Sequence, residues 1–194
     1  MQRILAIGGG GFMMEDSPSP IDRHITSLTG KLRPRICYLA MPSGDLPAHL
    51  DKLHAVYGSM GCETSHLVFF RQPDSRSIPV SHFRSKLLEQ DTIYVGGGNT
   101  KSALAVWREW GLDTVSRETW ERGVLLAGMS AGAITTSPHG FPPSIAIDDF
   151  AAAMFLGTSL DSVLSWRTGS TAYQAYRAGD TVIETALPAK QIGQ

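Results

Sequence analysis

"LLAGMSAGAI", residues 125–134, runs from apolar residues through a glycine-flanked serine into a short alanine-rich segment. Gly128-Met129-Ser130-Ala131-Gly132 fits the pattern G-x-S-x-G, which requires a strand before it and a helix after it. The turn between the two is sharp and strains the backbone of its middle residue. Side chains at the flanking positions would strike the neighbouring strand and helix, and glycine removes that collision. A strand that turns directly into a helix is the start of a βα unit, so the next question is whether the chain repeats it.

It does. "RILAIG" (3–8), "RICYLAM" (35–41), "SHLVFF" (65–70), "DTIYV" (91–95) and "GVLLAG" (123–128) are short apolar runs closed by Gly, Pro or polar residues, and they read as buried parallel strands. Between the second and third, Leu46, Leu50, Leu53, Tyr57 and Met60 recur at helical spacing, with Asp45 placed to cap the start and Gly61 to stop the end. Ser81, Phe83, Leu87 and Leu88 suggest another helix, and Ala103, Val106, Trp107 and Trp110 a third. The expected fold is α/β: a single doubly wound, mostly parallel sheet flanked by helices. Ligands in such sheets bind beyond the carboxyl ends of the strands.

Composition narrows the function. With 194 residues, 42% apolar and 18% charged, the chain is long enough for one well-cored domain and short for two. A net charge of -1 without a Lys/Arg cluster removes the electrostatic footprint of nucleic acid or an anionic membrane. No apolar stretch approaches the roughly 20 residues of a membrane span, and "MQRILAIGGGG" lacks the apolar core of a secretory signal. The expected location is cytoplasmic. Cys37 and Cys62 read as reduced thiols rather than a disulfide or metal pair. No metal-ligand spacing and no cofactor motif appear. The glycine run at 8–11 could be taken for a dinucleotide loop, but Met13, Met14 and Glu15 stand where the last glycine of G-x-G-x-x-G would fall.

The serine is the main candidate for chemistry. Placed at the elbow, Ser130 projects its Oγ into the cleft at a helix start, where free N–H groups favour developing negative charge. The Ala131 amide would be one oxyanion donor. The glycine-rich end "VGGGNT" (95–100) is a natural source of a second, from Gly97 or Gly98. The plainer alternative is that Gly128 and Gly132 serve close packing and Ser130 is an ordinary helix cap.

"IYVGGGNT" (93–100) followed by "LLAGMSAGAI", with "IDRHITSLTGKLRPRICYLAMPSGD" (21–45) and "LAVWREWGLD" (104–113), resembles the peptidase E (aspartyl dipeptidase) family of serine peptidases over about residues 3–134. The resemblance implies a flavodoxin-like fold related to class I glutamine amidotransferases, and cleavage of short peptides, commonly after an N-terminal aspartate. Ser130 matches the nucleophile. Gly98 and Ala131 match the oxyanion-hole positions, and Gly97, Asn99 and Thr100 the pocket edge that meets substrate. The whole chain, 1–194, is then one peptidase E-like domain with an atypical or truncated C-terminal third, 135–194.

In that third the family pattern is lost. The family continues with an acidic residue and then a strand ending in a Pro-His-Tyr type motif, whose histidine is the general base. Here the only histidine after the elbow is His139, which comes too early and beside Pro138, as an exposed loop residue. Asp148 and Asp149 sit where the acidic member would fall. "YQAYRAGDTVIE" (173–184) is faintly similar to a segment beyond the family's histidine. His24, His49, His54, His66 and His82 are placed on helices or strands with no sign of catalysis. Arg71, Arg76 and Arg167 could meet an aspartyl carboxylate. Three readings follow: a serine peptidase taking short peptides, a catalytically impaired relative that binds peptides, and a cyanophycinase-like hydrolase.

Overall fold

The computed structural model describes residues 1–16, 18–136, 144–178 and 180–193. Five strands, β1 (Arg3–Ile7), β2 (Arg35–Leu39), β3 (Glu63–Leu67), β4 (Thr92–Val95) and β5 (Leu125–Met129), pair in parallel in the spatial order β1-β5-β4-β2-β3. These are the five expected strands. The third begins and ends earlier than "SHLVFF" suggests, because the Phe69 and Phe70 amides leave the sheet to donate to the Asp45 carboxylate at 2.5 and 2.6 Å.

Strand side chains alternate between two cores, as a period of two demands. Leu5, Ile7, Ile36, Tyr38, Tyr94, Leu125, Ala127 and Met129 face one of them. There they are covered by Ile21 and Ile25 of α1 (Pro20–Leu28) and by Leu50, Leu53, Val56 and Tyr57 of α2 (Pro47–Ser59). Ile4, Ala6, Cys37, Leu39, Ile93, Val95 and Leu126 face the other. Their cover comes from Leu87 of α3 (Phe83–Leu88), Ala103 and Trp107 of α4 (Thr100–Trp110), and Leu112, Val115 and Trp120 of α5 (Leu112–Glu121). Fully burying one such aliphatic side chain contributes about 1.5–3 kcal/mol, so this two-sided packing fixes the sheet's register. Both cysteines are buried free thiols, and burial pushes Cys37 up to about 12.

Helix starts show where local rules hold and where they yield. Ser19 and Asp22 form a reciprocal capping box at α1, with Pro20 in its first turn,. Asp45 does not cap α2, as its position suggests it should. The cap residue is Leu46 and has no side-chain bond, because the buried Asp45 carboxylate is drawn to the two β3-loop amides instead. Gly61 does end α2, at φ +81,.

The C-terminal third extends the fold. After α6 (Ala131–Thr136) and β6 (Ser144–Ile147), β7 (Ala151–Leu156) runs antiparallel to β1 and β8 (Ser159–Ser165) antiparallel to β7. Two further strands, β9 (Ala172–Ala178) and β10 (Thr181–Ala186), form a hairpin, and the last, β11 (Ala189–Gln191), runs parallel to β8. The main sheet therefore has eight strands, β11-β8-β7-β1-β5-β4-β2-β3. A second sheet, β10-β9-β6, is antiparallel, and the segment 173–184 supplies its hairpin. Among the described residues no helix is long and apolar enough to cross a membrane.

Candidate active site

Parallel strands bring their carboxyl ends to one rim, and Ser130 stands on it directly after β5. Its φ is +54, in the left-handed region that a residue with a Cβ rarely occupies,. Three contacts hold it there. Its N–H donates to the Ile7 carbonyl of β1 at 2.9 Å, and its own carbonyl accepts from Ala133 and Ile134, which starts α6 at once. The residue is exposed, so its hydroxyl meets solvent rather than the core.

The two elbow glycines are required by close approach. A Cβ on Gly128 would strike the Gly132 carbonyl, and one on Gly132 would strike the Val95 carbonyl of β4. Helix α6 thus sits against the strand ends without intervening side chains. The plainer reading of these glycines, close packing, is correct as far as it goes. It is also what pushes Ser130 outward.

Gly97 is the nearest part of the neighbouring loop: a Cβ there would lie 3.3 Å from the Ser130 Cβ. Gly98, at φ +143, rests on the Pro42 carbonyl and the Ser43 amide, and Asn99 N–H donates to Pro42 O at 2.7 Å. Among the described residues the Gly97, Gly98 and Ala131 amides donate to no protein acceptor. Asn99 also has a structural part. Its side-chain oxygen caps α4 by accepting from Ser102 N at 2.9 Å, and Thr100 is the first helical residue.

No hydrogen bond joins Ser130 to Asp148 or Asp149 among the described residues. Asp148 accepts from Thr171 N–H and the Tyr173 hydroxyl at 3.0 and 3.2 Å, and Asp149 bridges to Gly9, so both stand at the end of β1. His139 lies outside the described residues. No hydrogen bond joins Ser130 to a histidine among the described residues. His54 and His66 bond each other at 2.8 Å, and their outer nitrogens bond Thr64 and Ser77. Arg76 pairs with Asp51 and Asp74, while Arg167 stacks over the Phe150 ring. A cavity of about 480 Å³ opens beyond β3, lined by His66, Val68, Phe70, Arg71, Asp74 and Arg76 among others. Of the residues expected to meet substrate, Arg71 and Arg76 line it, while Ser130 and the 97–100 loop do not.

One part of the rim was not singled out as a site in the sequence. The turn after β2, Met41–Ser43, packs on Gly98. Its Ser43 hydroxyl stands 2.9 Å from the Ala40 carbonyl and 3.2 Å from His49 Nδ1. One helical turn on, Lys52 donates to the Met13 carbonyl at 3.1 Å. The packing on Gly98 and the Lys52–Met13 bond join segments far apart in the chain, so no local pattern announces them.

Comparison with known proteins places this geometry among peptidases. The model of peptidase family S51 matches residues 4–157. An uncharacterized peptidase of Bacillus subtilis strain 168, YgaJ, is 33% identical over 236 aligned positions that cover 100% of each chain. Since this chain has 194 residues, 42 of those positions fall opposite gaps in it. The crystal structure of a peptidase from an acI-B1 Actinobacterium superposes with a TM-score of 0.71, covering 97% of this chain and 95% of that one at 14% identity. A candidate peptidase E protein from Listeria monocytogenes EGD-e gives 0.52 over 71% of this chain and 63% of its own, at 22% identity.

Proposed function

This chain belongs to peptidase family S51, and on that footing we propose that it hydrolyses short peptides, of Asp-X type, as a serine peptidase acting through a Ser130 acyl-enzyme. The observation that carries the reading is Ser130 itself. It is held at positive φ on the rim, exposed, beside three main-chain amides that have no protein acceptor among the described residues.

In this mechanism Ser130 Oγ attacks the scissile carbonyl, and its proton passes to a base. The carbonyl oxygen takes the negative charge and accepts from the Ala131 amide and from Gly98 or its neighbour Gly97. Each such donor is worth about 10²–10³ in rate. Collapse breaks the C–N bond and the amine leaves with a proton. Water then attacks the acyl carbon and restores the serine. Peptide is the partner that this cleft suits, since an extended backbone presents its carbonyl edge-on to the free amides.

The test is labelling with a serine-directed fluorophosphonate, followed by peptide mapping, together with hydrolysis of Asp-X dipeptides. The expected adduct is on Ser130, and Ser130→Ala should abolish both signals. A folded wild-type chain that resists labelling, yet binds Asp-X peptides, would be a peptide-binding relative rather than a peptidase.

A further inference from the structure

The cavity beyond β3 is separate from the Ser130 cleft. In the sheet β4 and β2 lie between β5 and β3, and neither Ser130 nor the 97–100 loop lines it. We propose that this cavity is a second binding site, for a free α-amino acid with an apolar side chain. Arg71 takes its carboxylate, Asp51 and Asp74 take its ammonium, and Leu50, Val68 and Phe70 take its side chain. On the peptidase reading such a zwitterion is also a product of hydrolysis, but its binding does not depend on that reading.

The first support is that the cavity walls are fixed in advance. One wall is α2, which supplies Pro47, Leu50 and Asp51, and the other is the segment that follows β3. Three ties hold that segment. The Asp45 carboxylate accepts from the Phe69 and Phe70 amides at its start. Further on, Arg76 Nη2 donates to Asp51 of α2 at 3.2 Å and to Asp74 at 3.1 Å. At its return, Ile78 N–H donates to the His66 carbonyl of β3 at 2.7 Å, and Ser77 Oγ lies 2.8 Å from His66 Nε2. The volume enclosed is about 480 Å³, within the range of about 300–1,000 Å³ usual for small-molecule sites. A wall already in place lowers the ordering cost of binding.

The second support is the charge on those walls. Asp51 and Asp74 share the Arg76 guanidinium, so the three together carry one negative charge in excess. His66 adds none at pH 7, because desolvation lowers it below the ordinary histidine range. Arg71 lines the same cavity yet pairs with neither aspartate, and neither its guanidinium nor the adjoining Gln72 amide has a partner among the described residues. Opposite charges therefore line one cavity without meeting each other. A guanidinium presents a planar fork that holds a carboxylate by two hydrogen bonds. Asp51 Oδ2 is not used by Arg76 and is open to an ammonium. Apolar surface completes the lining: Leu50 and Val68 are buried, and the Phe70 ring is 55% exposed.

Other ligand classes match less of this surface. A simple carboxylate satisfies Arg71 and leaves the excess charge of the aspartates unmatched. An amine satisfies the aspartates and leaves Arg71 unmatched. A phosphate brings more negative charge to a wall that already has it in excess, and like charges repel. A zwitterion with an apolar side chain meets both charges and the apolar surface at once, and it leaves the net charge of the cavity as it was.

The experiment is titration calorimetry of the full chain with L-phenylalanine, N-acetyl-L-phenylalanine and L-phenylalaninamide, beside ¹⁵N NMR of the backbone amides with L-phenylalanine added. L-phenylalanine should bind saturably. Removing its ammonium or its carboxylate charge should weaken binding about tenfold or more in each case. Arg71→Gln should weaken it by a similar factor, and Phe70→Ala should weaken it as well, both with unchanged melting temperature since each side chain is exposed. The amide signals that move should lie within residues 66–76. Absence of saturable binding overturns the proposal, as does equal binding by either blocked derivative or by Arg71→Gln. Signals that move at 97–100 and Ala131 instead would put the amino acid in the Ser130 cleft, which also overturns it. No readout here uses turnover, so a chain that binds L-phenylalanine at 66–76 but resists labelling at Ser130 keeps this site and loses the peptidase reading.

Discussion

The Ser130 amide donates to the Ile7 carbonyl at 2.9 Å, so the turn after β5 is fastened to the end of β1. That bond holds Ser130 at φ +54, where a residue with a Cβ is strained by about 1–2 kcal/mol. Glycine has no such penalty, although it gains chain entropy on unfolding. Ser130→Gly should therefore be more stable than Ser130→Ala by about 0.5–1 kcal/mol. Chemical denaturation of the two variants measures it. Equal midpoints would mean that the elbow stores no strain.

Gly97 and Gly98 are neighbours with different constraints. A Cβ at Gly97 meets the Ser130 Cβ at 3.3 Å, which a shift of a few tenths of an ångström relieves. At Gly98 it meets the Pro42 backbone. Gly97→Ala should keep its melting temperature and lose activity, because the crowding falls on the nucleophile. Gly98→Ala should lose both, by about 2 kcal/mol or more of stability given its φ of +143,. Thermal melts beside Asp-X turnover separate the two, and a Gly98→Ala chain as stable as wild type would contradict the packing described.

Three buried tyrosines surround Phe12, with ring centroids 5.3–5.9 Å from it. The Tyr57 hydroxyl donates to Asp22 at 3.0 Å. Those of Tyr38 and Tyr94 have no partner among the described residues. An unpaired buried hydroxyl costs about 1–3 kcal/mol. Tyr94→Phe should be neutral or stabilising, whereas Tyr57→Phe should lose about 1 kcal/mol. Urea midpoints of the two proteins report the difference, and similar losses in both would show that Tyr94 is satisfied.

The His54–His66 pair links α2 to β3. Desolvation, followed by the charge of Arg76 and the neighbouring imidazole, lowers His54 to about 4, and desolvation lowers His66 as well. Unfolded histidine titrates near 6.5. Between those limits the unfolded chain binds more protons, so stability is full above about pH 6.5 and falls as pH drops toward 4. His54 accounts for at most about 3 kcal/mol of that loss. Urea unfolding at pH 7.5, 6 and 5 should show the slope in wild type and a shallower one in His54→Gln. A pH-independent wild type would rule out buried neutral imidazoles.

Five strands, three helices and the elbow were legible because each rests on residues close together in the chain. Apolar runs of strand length, helical spacing of Leu50, Leu53 and Tyr57, and glycines at 128 and 132 are local requirements, and local patterns state them. The family resemblance was legible for the same reason, since its motifs are contiguous. Asp45 shows where such reasoning stops. Its position before α2 fits a cap, yet its carboxylate satisfies two amides 24 and 25 residues away, a preference that only the folded loop reveals. The tail shows it again. "AAAMFL" (151–156) became a buried strand antiparallel to β1, although nothing in the run names its neighbour.

By itself, then, the sequence determined a parallel α/β sheet and a serine thrust out at the carboxyl end of its fifth strand, because backbone sterics and period-two burial act over a few residues. Tertiary structure alone decided which groups share the rim with that serine. Gly97 beside its Cβ and Pro42 under Gly98 are contacts between segments tens of residues apart, and their distances exist only once the sheet order has been set.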